Sequence, residues 1–316
     1  MAAVALCAFV ACSTPPAAAP VPGRLPAPPA GPNLLFVSVA NDDTFHHVAL
    51  TSLSQPGRDI FVTPLTCERA YFGGRRGICL TSTTDGANTT WWAQIFSDRF
   101  DPLDRLPLTG RPSRVRISPD GHYAGATVFE SGHEYLAQGF STRTTLFDLE
   151  ARTAISDLEQ FETRRAGRPF KERNFNFWGV TFARDSDTFY ATLDTGGVSY
   201  LVRGSIRGRS VDVLHPNVEC PSLSPDNTRI AFKKRIGTRS LGWWQLAILS
   251  LDTLTETVVR TETRGVDDQV EWLDDNRVVY HLTGGLNAAD LWAVAADNSA
   301  DPSLILPAAY SPAVVR

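Results

Sequence analysis

Lysine is nearly missing from this chain: of its 30 basic side chains, three are lysine and the rest arginine. That imbalance reflects the codon usage of a GC-rich genome rather than a chemistry, since 30 basic residues face 34 acidic ones for a formal net charge of −4. Without a basic excess there is no reason to expect nucleic acid or an anionic membrane surface as a partner. Long apolar runs are absent too. The longest, "AAVALCAFVA" at residues 2–11, is too short to cross a bilayer as a helix but right for a signal-peptide core. The motifs of the commonest catalysts are missing as well: no Gly-x-Ser-x-Gly, no His-Glu-x-x-His and no Gly-x-x-x-x-Gly-Lys, which leaves serine hydrolase, zinc protease and nucleotide hydrolase without support. His46 and His47 look like a metal pair, yet neighbours on a strand point to opposite faces. No metal or cofactor is expected.

What is present is repetition. "VRISPDGHYAGATV" (115–128) and "SLSPDNTRIAF" (222–232) both set Ser-Pro-Asp and a residue tolerant of positive φ between apolar, strand-forming runs, the chemistry of a tight hairpin. Weaker copies stand at "VTFARDSDTFYATL" (180–193), "VEWLDDNRVVYHL" (270–282) and "AYFGGRRGICLTS" (70–82). Aligned on Gly74, Pro119, Arg184, Pro225 and Asp274, they recur at intervals of about 45, 65, 41 and 49 residues, matching a propeller blade with one enlarged unit. A second strand-turn-strand follows each. A sixth outer hairpin, "HHVALTSLSQPGRDIFV" (46–62), follows "NLLFVSV" without an inner strand, and the missing strand is "YSPAVVR" at 310–316. The expected fold is all-β: a six-bladed β-propeller of four-stranded antiparallel blades, closed by the C-terminal strand and leaving no open edge.

Residues 1–12 read as a signal peptide ending in a lipobox-like "FVAC", with Cys12 as the lipidated residue, and "STPPAAAPVPGRLPAPPAGP" (13–32) as a Pro/Ala-rich tether. The propeller occupies 33–316 and is expected to be a monomer. An extracytoplasmic, membrane-anchored protein follows, with simple secretion as the alternative, and cysteine usage agrees. A turn centred near Gly73 places Cys67 and Cys79 opposite each other at disulfide distance; aligning that turn with the other blades shifts the register and leaves two buried thiols. Cys220 lies on the opposite blade and is expected free and packed.

Function is expected at the channel mouth, where loops lead into the innermost strands and carry polar side chains on a rigid scaffold. Arg173, Asn174, Asn176, Glu219, Asp267 and Asp268 form the candidate partner-binding set, with Glu68, Arg111, Arg114, Asn217 and Gln269 on the same ring. The enlarged unit "FETRRAGRPFKERNFNFWG" (161–179) interleaves basic and aromatic residues, either as a protein-binding surface or as a long loop packed on its blade.

"SPDG", "SPDN", "WLDDN" and "SPAVV" resemble the WD40-like repeats of TolB-type six-bladed propellers, over nearly all of 33–316. "NFWGVTFARDSDTFYATL" and "VECPSLSPDNTRIAFKKR" look like exported TolB-like proteins of high-GC Gram-positive bacteria. The resemblance implies a non-enzymatic extracytoplasmic binding or scaffold protein whose mouth takes protein or peptide partners of the cell envelope. It also allows a calcium-dependent, lactonase-like hydrolase recruiting Asn174, Asn176, Glu219 and Asp268. The N-terminal α/β domain of TolB has no counterpart, since 13–32 reads only as tether.

Overall fold

The structure, a computed structural model, describes residues 23–130, 141–237, 243–284 and 288–316; Cys12 and most of the expected tether lie outside them. Among the described residues six sheets form a ring. From the axis outward, blade 1 comprises Ala309–Val315, Asn33–Ser38, His47–Ser52 and Asp59–Thr66. Blade 2 runs from Arg69–Gly73 to Pro102–Leu108, blade 3 from Arg111–Ile117 to Thr153–Asp157, and blade 4 from Asn176–Phe182 to Ser210–Pro216. Blade 5 runs from Glu219–Leu223 to Glu256–Val258, and blade 6 from Glu271–Trp272 to Ser303–Leu306. The C-terminal strand closes the ring as expected, pairing antiparallel with Asn33–Ser38 through Leu34 and Val314, Leu35 and Ala313.

The repeated tetrapeptide earns its place in the turns. In blade 3 the Ser118 carbonyl accepts from Gly121 N–H at 2.9 Å, with Gly121 at φ 76°, a conformation nearly free of cost only for glycine. Asp120 accepts from the Ser118 hydroxyl at 2.6 Å and from His122 N–H at 2.9 Å. Blade 5 repeats this with Ser224, Asp226 and Asn227, the last at φ 63°. There burial works against the Asp226 charge, but bonds from Ser224 and Thr228 outweigh it and hold the carboxyl down at about 2.

Hydrophobic packing lies between blades. Each of the six junctions has its own buried cluster, such as Leu50, Leu65, Phe72 and Phe96 between blades 1 and 2 and Ala231, Leu246, Trp272 and Tyr280 between blades 5 and 6. No single blade can bury its faces alone, so closure stabilises all six.

Two blades exceed four strands. Gly23–Arg24 runs parallel to Asp59–Ile60 at the outer edge of blade 1, and Arg24 pairs with Asp43. Among the described residues the end of the expected tether is therefore docked at Gly23–Arg24, because an unpaired outer edge offers hydrogen bonds that even a Pro-rich segment can use. In blade 4 the enlarged unit supplies Glu162–Arg165, parallel to Ser210–Val213, and the short partner Arg168–Pro169. Its aromatics pack inward: Phe161 is buried, and Phe170 lies 5.4 Å from Phe175. That segment is an edge cover with Arg165 stacked over Tyr200 at 5.1 Å.

Cys67 and Cys79 form a disulfide with Cα atoms 5.4 Å apart, yet not in the directly opposed register. Cys79 faces Ala70 across the sheet, and the turn aligns with those of the other blades. The bond forms because Cys67 lies in the corner between the outer strand of blade 1 and the inner strand of blade 2, where the chain folds back over Cys79. Cys220 is free and buried.

Candidate functional site

All six innermost strands run the same way, so the axis has a strand-entry end and a turn end. Arg116, in the middle of the blade 3 inner strand, separates them. Its guanidinium crosses the channel to the opposite blade, donating to the carbonyls of Gln269 at 3.1 Å and Val270 at 2.9 Å. It also pairs with Glu271 at 3.3 Å and lies 4.7 Å over the Tyr71 ring, whose hydroxyl donates to Glu271 at 3.1 Å. Gln269 ties in two more blades, donating to Val180 O at 3.0 Å and Pro221 O at 2.9 Å. Five blades thus meet in one buried polar plug. Burial raises the Glu271 carboxyl while Arg116 opposes the shift. The plug bridges the axis between the strand-entry end and the turn end.

At the turn end, a cavity of about 300 Å³ is bounded by all six blades, with Arg116, Glu271 and Trp272 at its floor and Arg184, Asn227 and Arg316 at its rim. A larger apolar groove of about 1060 Å³ lies off the axis between blades 1 and 6, lined by Phe36, Ile60, Val62 and Leu306.

The sequence-derived candidates all lie toward the strand-entry end, but their side chains are unequally free. Glu219 is buried under a network from blades 4 and 5: Arg235 donates to it at 2.6 Å, Trp244 Nε1 at 3.0 Å and Ser199 at 3.4 Å. Asp268 is buried and pairs with His281 Nδ1 at 2.7 Å; burial opposes its charge, but His281, Arg114 and Arg69 hold the carboxyl well below its ordinary value. Exposed Asp267 pairs with buried Lys233, which lies 4.3 Å over the Trp244 ring. Asn176 turns toward blade 3, where it accepts from Thr142 N–H at 3.1 Å, and Asn174 accepts from Thr195 at 2.8 Å. Arg173 is exposed. The Asn176–Thr142, Glu219–Ser199 and Asp267–Lys233 contacts cross between blades, and among the described residues no group of three or more His, Cys, Asp or Glu side chains is placed to hold a metal ion.

Sequence reasoning missed Arg69, Arg116, Lys233 and Tyr310. The available signal was charge inside an innermost strand: "VRI" and "VEW" place Arg116 and Glu271 where a doubly covered strand should be continuously apolar. Exposed Phe45 and Trp243, 51% and 40% accessible, lie at this same face, where the third strands of blades 1 and 5 begin.

No protein-family model matches the chain, and no curated protein matches it by sequence. Similarity appears in three dimensions. TolB from Acinetobacter baumannii superposes with a TM-score of 0.58 at 15% identity, over 90% of this chain and 66% of that one. The chain therefore spans just under two thirds of the length of that TolB. A putative TolB from Agrobacterium tumefaciens gives 0.50 at 13% identity, over 87% and 88% of the two chains. A chain of a nidogen/laminin complex gives 0.59 at 11% identity, over 90% and 99%. At such identities the likeness defines a class, the six-bladed propellers that include TolB, and says nothing of what is bound.

Proposed function

We propose that this chain is a non-enzymatic extracytoplasmic binding or scaffold protein that captures a protein or peptide segment at the strand-entry mouth. One observation carries the reading. The entry face joins exposed Phe45 and Trp243 to the charged ring of Arg173, Asp267 and Arg114 above the Arg116 plug that crosses the axis, the composition of a peptide-binding surface on a rigid scaffold. The likeness to TolB folds supports a binding role. A monomer held to the membrane only through lipid on Cys12, with residues 13–22 as tether, completes the proposal, and the disulfide supports an oxidising compartment.

The test uses the full chain in intact cells, with a photo-crosslinking residue replacing Trp243 at the entry face or Leu254 at the turn face. Adducts are expected from position 243 and not from 254; the reverse would overturn the reading. Cys12→Ala is expected to move the protein from the membrane to the soluble exported fraction.

A further inference from the structure

Position 184 breaks the repeat that builds the turns. Where blades 3 and 5 set Pro119 and Pro225 and blade 2 sets Gly74, blade 4 has Arg184, and all four positions border the axial cavity at the turn end. Among the described residues, that cavity of about 300 Å³ is lined by three guanidiniums, those of Arg116, Arg184 and Arg316, against the single side-chain carboxylate of Glu271. Arg116 and Glu271 pair at the floor, and Arg316 adds its field to the same carboxylate, so the lining keeps an excess of positive charge. The acids of the surrounding turns stand outside the lining, and each is engaged. Asp120 accepts from Ser118 and His122 N–H, Asp185 from Thr188, Asp226 from Ser224 and Thr228, Asp274 from Arg277, and Asp275 from Asp226 N–H.

The two rim arginines are positioned without being neutralised. Arg184 donates one Nη to Pro225 O at 2.7 Å, and its backbone N–H is held by Asn227 Oδ1 at 2.9 Å. Arg316 donates one Nη to the carbonyls of Trp272 at 3.3 Å and Leu273 at 3.2 Å. Carbonyls carry no charge to cancel a guanidinium, and both residues are exposed.

We propose that the turn-end cavity binds a small organic anion, with its apolar body against Phe72, Phe182 and Leu223 and its carboxylate or phosphate held at the rim by Arg184 and Arg316. The guanidinium fork suits either oxyanion, and side chains already anchored to carbonyls lose less freedom on binding. The volume lies at the lower end for ligand pockets and equals about ten water molecules at roughly 30 Å³ each, room for a single ring rather than a polypeptide segment. The site lies on the far side of the Arg116 plug from the entry mouth and does not depend on what the mouth binds.

Isothermal titration of the full chain would use benzoate, phenyl phosphate, neutral benzamide and inorganic phosphate. At least tenfold tighter binding of benzoate or phenyl phosphate than of benzamide is expected, and the stronger of the two identifies the head group. Inorganic phosphate should bind at least tenfold more weakly than the preferred organic anion, because it leaves the apolar walls uncovered. The preference for an anion should be lost in Arg184→Gln and in Arg316→Gln, both expected to unfold at the wild-type temperature because each gives up only exposed contacts to carbonyls. Equal binding of anion and benzamide, inorganic phosphate binding as tightly as the organic anions, no saturable binding at millimolar concentration, or a preference retained in both variants would each overturn the site.

Discussion

Replacing Arg116 by methionine should show how much of the ring depends on its axial plug. Arg116 and Glu271 are both buried, with side chains 9% and 8% exposed. The substitution removes two hydrogen bonds to carbonyls of the opposite blade and leaves Glu271 to the Tyr71 hydroxyl, the Val314 backbone and the field of Arg316. Breaking a buried pair from one side typically costs about 3–5 kcal/mol, a large share of the roughly 5–15 kcal/mol that stabilises a domain. At about 2 °C per kcal/mol for a chain of this size, the unfolding midpoint should fall by roughly 6–10 °C. Glu271 already has a raised carboxyl pKa, and losing Arg116 raises it further. The loss should accordingly shrink as pH falls and the carboxyl takes up a proton, and be largest at pH 8. The double variant Arg116→Met, Glu271→Gln should recover most of the stability, because a neutral amide still accepts from Tyr71 and no uncompensated charge is left. Urea unfolding of the four proteins of this cycle gives the coupling, expected to exceed about 2 kcal/mol. A single-variant loss under about 1 kcal/mol, or strict additivity, would refute the plug as a structural unit.

Other outcomes follow from the same physics. Glu159 sits between blades 3 and 4 with both carboxyl oxygens enclosed and without hydrogen bonds, and burial pushes its pKa from 4.5 up to about 7. A raised acid adds stability that is full below the unfolded pKa and lost as pH rises through the folded one. Thermal melts should therefore show a contribution on the order of 3 kcal/mol fading between about pH 4.5 and 7, which Glu159→Gln abolishes; an unchanged slope in that variant would count against it. Deleting residues 308–316 removes the inner strand of blade 1, and with it Ala309, Ala313 and Val314 from two inter-blade cores, so limited proteolysis should degrade the truncated chain rapidly; resistance equal to the full chain would argue against closure. Replacing Cys67 and Cys79 by serine opens a loop of 12 residues and should cost about 2–3 kcal/mol in urea unfolding, an effect absent if both proteins are compared under reducing conditions.

The blades were legible because each is specified within a dozen residues. Pro119, Asp120 and Gly121 dictate their turn whatever surrounds them, and the spacing of such turns counts the blades. The C-terminal closure was legible by subtraction, since a hairpin near residue 50 had no inner strand and a strand near 312 had no hairpin. The edge cover of blade 4 was readable only as an enlargement: parallel pairing of Glu162–Arg165 with Ser210–Val213 joins segments that no local signal connects.

By itself the sequence determined what short-range chemistry can enforce: strands, turns, their period, and the polar character of the loops at one end. The tertiary structure decided which of those polar groups meet one another. Glu219, Asp268 and Asn176, candidate ligand contacts in the chain, also meet Arg235, His281 and Thr142 from neighbouring strands or blades. Inner-strand bulges at Gly179, Cys220 and Ser311, all at positive φ, break the two-residue alternation that strand reading relies on. Arg116 meets Gln269 and Glu271 from more than 150 positions away. Only the closing of the ring makes those residues neighbours, and a buried charge finds its partner by proximity in space.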